Sequence, residues 1–300
     1  MPVIGYLGSE APEPYASRLD AFREGLAESG YVEGRNVSIA FRWAEGQYRR
    51  LPALAMDLVD RQVTVIVAPG GAEVALAAKS ATATIPIVFE MGGDPIALGV
   101  VGSLSRPGGN LTGVSSLSVE VSSKRLEFMT ELFPAAEIIA VAVNPTSPTS
   151  GSQMRTLQAA ASSLRLQLRI LNASTEQEFD AVFAAVPQMG AKGLVFTSDP
   201  YFAYRSQRLA ELASRHGVPA ITQARDFPMA GGLMSYGGDF RQSHRHTGIY
   251  AGRILKGEKP SNLPVQRVTK VELVINLKAA TALGIPLPVP LLSSADVVIE

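Results

Sequence analysis

The chain alternates short β-rich runs with longer segments of helical period. That alternation admits little besides parallel sheets built from strand, crossover helix, strand units. Strands are expected at Val3 to Leu7, Val37 to Arg42, Thr64 to Ala68, Ile85 to Phe89 and Leu111 to Ser115. Between the first four, apolar residues recur at helical spacing: Leu19, Phe22 and Leu26, then Leu54, Leu58 and Val59. From Ser118 the pattern resumes, with a helix from Val119 to Phe133 and a strand from Ile138 to Val143. Further strands are expected at Gln167 to Leu171, Gly193 to Thr197, Ala220 to Ile221 and Leu233 to Ser235. The expected fold class is α/β, with two Rossmann-like lobes in tandem around parallel central sheets, and 300 residues suffice for two such domains.

After Ser235 the alternation breaks. A helix is expected from Phe240 to Leu255, then a polar turn around Lys256 to Asn262 and strand-like Val265 to Thr269 and Val271 to Ile275. If the chain leaves the second lobe after Tyr236, adds a helix to the first and returns through Leu263, the lobes are 1–116 plus 237–262 and 117–236 plus 263–300. Three segments then link them, the first being the run Leu111 to Leu117. Such a hinge closes a cleft by small backbone rotations.

Lys plus Arg equal Asp plus Glu at 27 each, so the chain lacks the positive field that a general nucleic-acid binder uses. No cysteine is present, which removes thiolate chemistry and, with the scattered histidines, makes a transition-metal cage unexpected. His244 and His246 are two apart on a helix and do not share a face, so both are expected to be solvated. The phosphate loop G-x-x-x-x-G-K-[ST], H-E-x-x-H and G-x-S-x-G are absent, and the first strand lacks G-x-G-x-x-G spacing. No cofactor and no metal are expected.

In open parallel sheets ligands sit beyond the carboxyl ends of the strands. In the first half these loops are Gly8-Ser9-Glu10, Pro69-Gly70-Gly71-Ala72 and Glu90-Met91-Gly92-Gly93-Asp94. In the second they are Asn144-Pro145-Thr146-Ser147, Ser198-Asp199-Pro200-Tyr201 and Gln223-Ala224-Arg225-Asp226, with Tyr236 after a later strand. Gly70 and Gly71 precede a helix that starts near Ala72, so their amides suit an anionic group; a tight turn alone would also call for glycine. Asp94 and Asp199 suit a ligand amine or hydroxyl, or else cap a turn. Tyr201 and Tyr236 suit a ring or aliphatic ligand, or else pack in the lobe core.

Seven segments in order over nearly the whole chain resemble the substrate-binding proteins of ABC importers, in the tryptophan/tyrosine-binding group. Among them are GLAESGYVEGRNV from Gly25, GGDPIALGVVGSLSRPGGNLTGVS from Gly92, AGGLMSYG from Ala230 and ELVINLKAATALGIPLP from Glu272. The resemblance implies a type I periplasmic-binding fold, in which two hinged lobes capture a small organic molecule, an amino acid or aromatic acid, for delivery to a membrane permease. It further implies no catalytic step, a monomer, and a periplasmic location with the signal peptide removed. Ligand contacts in similar proteins carry over to Gly70, Gly71, Ala72, Met91, Asp94, Asn144, Thr146, Ser147, Asp199 and Gln223; Ser9, Glu10, Tyr201 and Tyr236 join them from the loop reading. Where the group usually has Thr-Pro after the glycines, this chain has Ala72-Glu73, and where relatives have Ser-Glu-Gly it has Gln223-Ala224-Arg225. The ligand therefore stays open. The alternative from another class is an enzyme on the same scaffold, with Asp94 and Asp199 as acid and base.

Overall fold

The computed structural model describes residues 1–116 and 118–300. It divides into two compact units, Met1–Leu117 with Asp239–Thr269, and Ser118–Gly238 with Lys270–Glu300, so the chain passes between units three times. Leu117, the end of the first expected linking segment, lies outside the described residues.

The first unit begins β1 (Val3–Gly8), α1 (Pro12–Glu28), β2 (Ser38–Trp43), α2 (Leu51–Asp60), β3 (Val65–Ala68), α3 (Ala72–Ala81), β4 (Ile87–Met91) and β5 (Leu111–Ser115). The second holds α4 (Ser122–Leu132), β6 (Ile138–Val143), α5 (Ser150–Leu164), β7 (Gln167–Asn172), α6 (Glu176–Gln188), β8 (Leu194–Phe196), α7 (Pro200–Ala203), α8 (Ser206–His216), β9 (Ala220–Thr222), α9 (Asp226–Met229) and β10 (Met234–Gly238). The chain then returns α10 (Phe240–Leu255) and β11 (Gln266–Arg267) to the first unit, and ends in the second with β12 (Val271–Asn276), α11 (Leu277–Ala282), α12 (Val289–Ser293) and β13 (Val297–Ile299).

The first sheet runs β11-β5-β4-β3-β1-β2 and is parallel throughout. Alternation along each strand divides its side chains between two helical layers. Leu7, Ile66, Ile87, Phe89 and Met91 pack with Leu58, Val74 and Ala78 of α2 and α3, while Tyr6 turns to the other face and meets Phe22 of α1. On that face α1 and α10 cross almost backbone to backbone. A Cβ on Gly25 would lie 1.9 Å from the Arg245 carbonyl oxygen, and one on Gly248 would lie 2.1 Å from that of Phe22.

The second sheet runs β13-β12-β10-β9-β8-β6-β7. It repeats the order of the first around its own opening strand β6, and its parallel centre is extended by β12, which runs antiparallel to β10. One face packs Leu126, Met129, Val141, Leu157 and Val195. The other carries an aromatic cluster of Phe179, Phe183, Phe196, Tyr201 and Phe202.

The expected return to the second lobe at Leu263 is corrected. Leu263 is fully buried and its carbonyl accepts from the Thr112 hydroxyl at 2.7 Å; β11 pairs with β5, and Val265 joins the first core. The chain leaves the first unit only after Thr269.

Candidate functional site

In both sheets the strand order reverses beside the opening strand, and that reversal leaves a crevice beyond the carboxyl ends. In the first unit the crevice is flanked by the loops after β1 and β3. Gly8 lies in register with Trp43 of β2, and any Cβ on it would come 2.3 Å from the indole, so glycine lets the ring cover the strand end. Ser9 Oγ lies 3.2 Å from the Tyr15 hydroxyl. Gly70 and Gly71 have φ of +104° and +107°, where a side chain would be strained. A Cβ on Gly70 would also fall 2.2 Å from the Tyr15 hydroxyl and 2.7 Å from Ser9 Oγ. Ser9, Gly70 and Tyr15 thus converge, directly before the first turn of α3. Glu10 is buried beside them, and its carbonyl accepts from the Glu45 N–H.

Below this loop lies a buried polar layer. Glu90 points away from Phe89 and Met91, and its carboxyl accepts from the Gly70 N–H and the Ser116 hydroxyl. Burial raises its pKa above the ordinary carboxylate range, against those bonds and the nearby positive charge of Arg18. Burial likewise pushes the Tyr6 hydroxyl well up. Arg18 is itself buried, with its guanidinium 4.7 Å over the Phe240 ring. His244, expected to be solvated, is fully buried: its Nδ1–H donates to the Phe240 carbonyl at 2.8 Å, and its ring meets Tyr15 edge-on.

In the second unit the loops after β6, β8 and β9 form one hydrogen-bonded set. Asn144 Nδ2 donates to Asp199 Oδ2 at 3.4 Å, and its Oδ1 accepts from the Thr146 N–H and hydroxyl. Asp199 Oδ1 accepts from the Tyr201 N–H at 2.8 Å, and Gln223 Nε2 donates to the Asp199 carbonyl at 3.0 Å. Asp199 is only 1% exposed, so its carboxylate is withdrawn from water. Ser147 pairs with Thr149 Oγ1 at 3.2 Å. A Cβ on Gly237 would sit 2.2 Å from the Gln223 carbonyl, which fixes how closely β10 backs this loop.

Four of the expected site residues lie elsewhere. Met91 is fully buried in the first core, because its place in β4 turns it toward α2 and α3. Asp94 is exposed and spends Oδ1 on the Ile96 and Ala97 N–H groups of its own turn. Tyr201 packs on Phe179 beneath the Arg205 guanidinium, 3.8 Å from the ring centroid. Tyr236 is half-buried edge-on to Phe128 of α4. Ala72 opens α3 but is buried in the core, so only its backbone is offered to the loop. Residues outside the expected site set are Trp43 and Tyr15, and in the second unit Arg125, Gln153 and Ser198, the last within a loop already named. The Gln153 side chain bonds both the N–H and the carbonyl of Ser198, at 2.6 and 2.8 Å. The pairing of Gly8 with an aromatic on the adjacent strand was the available signal for Trp43.

The sequence model of the ABC transporter substrate binding protein family matches residues 13–299. A tyrosine-binding protein of Clostridioides difficile is 27% identical over 264 residues, which span 87% of this chain and 75% of that protein. The crystal structure of an ABC domain in complex with L-Trp, from Streptococcus pneumonia, is 26% identical with a TM-score of 0.86, covering 99% of this chain and 100% of the other. That of a conserved domain protein from Vibrio cholerae is 27% identical with a TM-score of 0.90, covering 99% of each.

Proposed function

The chain belongs to the family of ABC transporter substrate binding proteins, and from that premise we propose that it captures an aromatic amino acid and hands it, as a monomer outside the cytoplasm, to a membrane permease for import. No bond is made or broken. The residues proposed to meet the ligand are Ser9, Glu10, Gly70, Gly71, Asn144, Asp199 and Gln223. The observation that carries this reading is the buried Asp199 carboxylate, oriented by Asn144 and the Tyr201 N–H, which suits a ligand ammonium. The tryptophan-bound and tyrosine-binding relatives support the ligand class. Burial of the ligand away from water strengthens each of these contacts.

A ligand that binds only the folded state at a hundred times its Kd stabilises it by about 2.7 kcal/mol, which raises the melting temperature by several degrees. L-Trp or L-Tyr is expected to do so, with calorimetry showing one site and no product after prolonged incubation. A shift confined to sugars or nucleobases would sink the amino-acid reading. Asp199→Ala is expected to weaken the amino acid by about 1–3 kcal/mol, the range for a hydrogen bond to a charged group. Unchanged calorimetric affinity in the folded variant would remove Asp199 from the site.

A further inference from the structure

Glu90 in β4 and Arg125 in α4 are each fully or almost fully buried and form no salt bridge among the described residues, with Arg18 the nearby positive charge that Glu90 feels. A buried charge without a salt-bridge partner is costly, and an apolar residue of similar size would pack in its place without that cost. Both side chains spend their polar atoms in the same pattern.

Arg125 Nη2 donates to Ser198 Oγ at 2.6 Å, next to Asp199. Its Nη1 donates to the Tyr236 carbonyl at 2.9 Å, and both terminal nitrogens reach the Ser118 carbonyl at 3.4 Å. Ser198 Oγ closes the triangle by donating to Ser118 O at 2.5 Å. Ser118 is the first residue of this unit, and Tyr236 stands two before Gly238, where the chain leaves it. One guanidinium therefore joins the loop after β8 to both of these chain ends. In the first unit the Glu90 carboxyl takes the N–H of Gly70, in the loop after β3, and the hydroxyl of Ser116, close to the point where the chain departs. The Glu90 carbonyl also accepts from the Gly71 N–H at 3.2 Å. Burial alone brings the guanidinium pKa down to about 9, as expected where only neutral acceptors surround it.

We propose that Glu90 and Arg125 are positioning residues that fasten each ligand loop to the adjoining chain crossing, so that engagement of the loop by ligand is felt at the crossing. This rests on the amino-acid-binding reading above. A shift of Ser198 that moves Oγ strains the bonds to Ser118 and Tyr236 together, because one rigid planar group serves all three. An apolar core residue would let the loop and the crossing move independently.

Hydrogen exchange with and without saturating L-Trp or L-Tyr tests this on the wild type, Arg125→Met, Glu90→Gln and Ser198→Ala. In the wild type, ligand is expected to slow exchange in the loops 68–73 and 144–149 and also in the crossings 113–121 and 234–240. Arg125→Met and Ser198→Ala are expected to keep the loop protection, lose at least fivefold of the protection at 234–240, and bind at least tenfold more weakly. Glu90→Gln, which keeps an acceptor for the Gly70 N–H, is expected to keep most of the protection at 113–121. If neither amino acid slows exchange anywhere in the wild type, the functional reading fails. If the wild type protects its loops but not its crossings, or Arg125→Met and Ser198→Ala protect the crossings as it does, the coupling alone is overturned. A variant with a lower melting temperature but wild-type affinity and protection would mark a purely structural role and overturn it equally. Ser198→Ala removes one hydroxyl and keeps the question answerable where Arg125→Met fails to fold.

Discussion

Alanine at Gly248 is expected to destabilise the protein by about 2–3 kcal/mol, although in an ordinary helix interior the same change gains about 1 kcal/mol. Packing decides the sign. The added Cβ would lie 2.1 Å from the Phe22 carbonyl oxygen and 2.8 Å from the Leu26 nitrogen, both backbone atoms of α1 that no rotamer change can move. Relief requires α1 and α10 to separate, and Tyr6, Phe22 and His244 are packed in the layer that such a movement opens. Thermal unfolding is expected to fall by roughly 3–5 °C at this chain length. Gly151, near the start of α5, is the control: a Cβ there meets nothing nearer than Arg155 Nη1 at 3.7 Å, so alanine is expected to be neutral or slightly stabilising. A wild-type melting temperature for Gly248→Ala would show that the two helices do not cross this closely.

The second large effect is acid lability from His244. Burial, with Arg18 acting in the same direction, holds its pKa down at about 3, against the usual 6.5. The unfolded chain therefore takes up this proton several pH units before the native protein does. Stability attributable to the neutral ring is present above about pH 6.5 and is lost as pH falls toward the folded value, at about 1.4 kcal/mol per unit. The loss is about 2 kcal/mol by pH 5. Glu90 works in the opposite sense: its pKa is raised, so the native state binds its proton first and gains stability as pH falls through that range. Urea unfolding at pH 7.5 and pH 5 separates the two. His244→Gln is expected to shrink the loss between those values by about 2 kcal/mol, and Glu90→Gln to enlarge it. Equal pH dependence in His244→Gln and wild type would mean that the ring reaches water.

Much of the fold was legible because it rests on periodicity. Phe240–Leu255 and Ile138–Val143 emerge with the bounds read from the sequence: the strand is one continuous apolar run, and Asp239 caps the helix through its bond from the Gln242 N–H. The strand-end loops were legible for the same reason, and Asn144, Asp199 and Gln223 lie in them. Orientation within a loop was not. Met91 and Tyr236 are still inside their strands, so the pleat aims them at a helical layer. The buried layer of the first unit was hidden by its composition: α10 packs inward with Ser243, His244, Thr247, Gly248 and Ala251, a face that reads as polar or small. Arg125 escaped for a similar reason, as a cation in the first turns of a helix is ordinarily solvated. The antiparallel β12 and the late departure at Thr269 depend on pairing with β10 and β5, contacts distant in sequence that no local pattern encodes.

The interleaved chain order also governs how the molecule is made. α10 belongs to the first unit but is synthesised after Gly238, when most of the second unit already exists. A nascent chain that ends at β5 has five strands and the three helices between them, yet the side of α1 that Gly25, Phe22 and Leu26 present to α10 has no cover. The N-terminal half therefore cannot complete its interior first and wait; it stays open while the inserted half forms. Closing that long loop is an entropic step that local structure cannot hasten. During synthesis the chain exposes apolar surface on its earliest helix for most of its length, which is the interval in which a chaperone finds it incomplete.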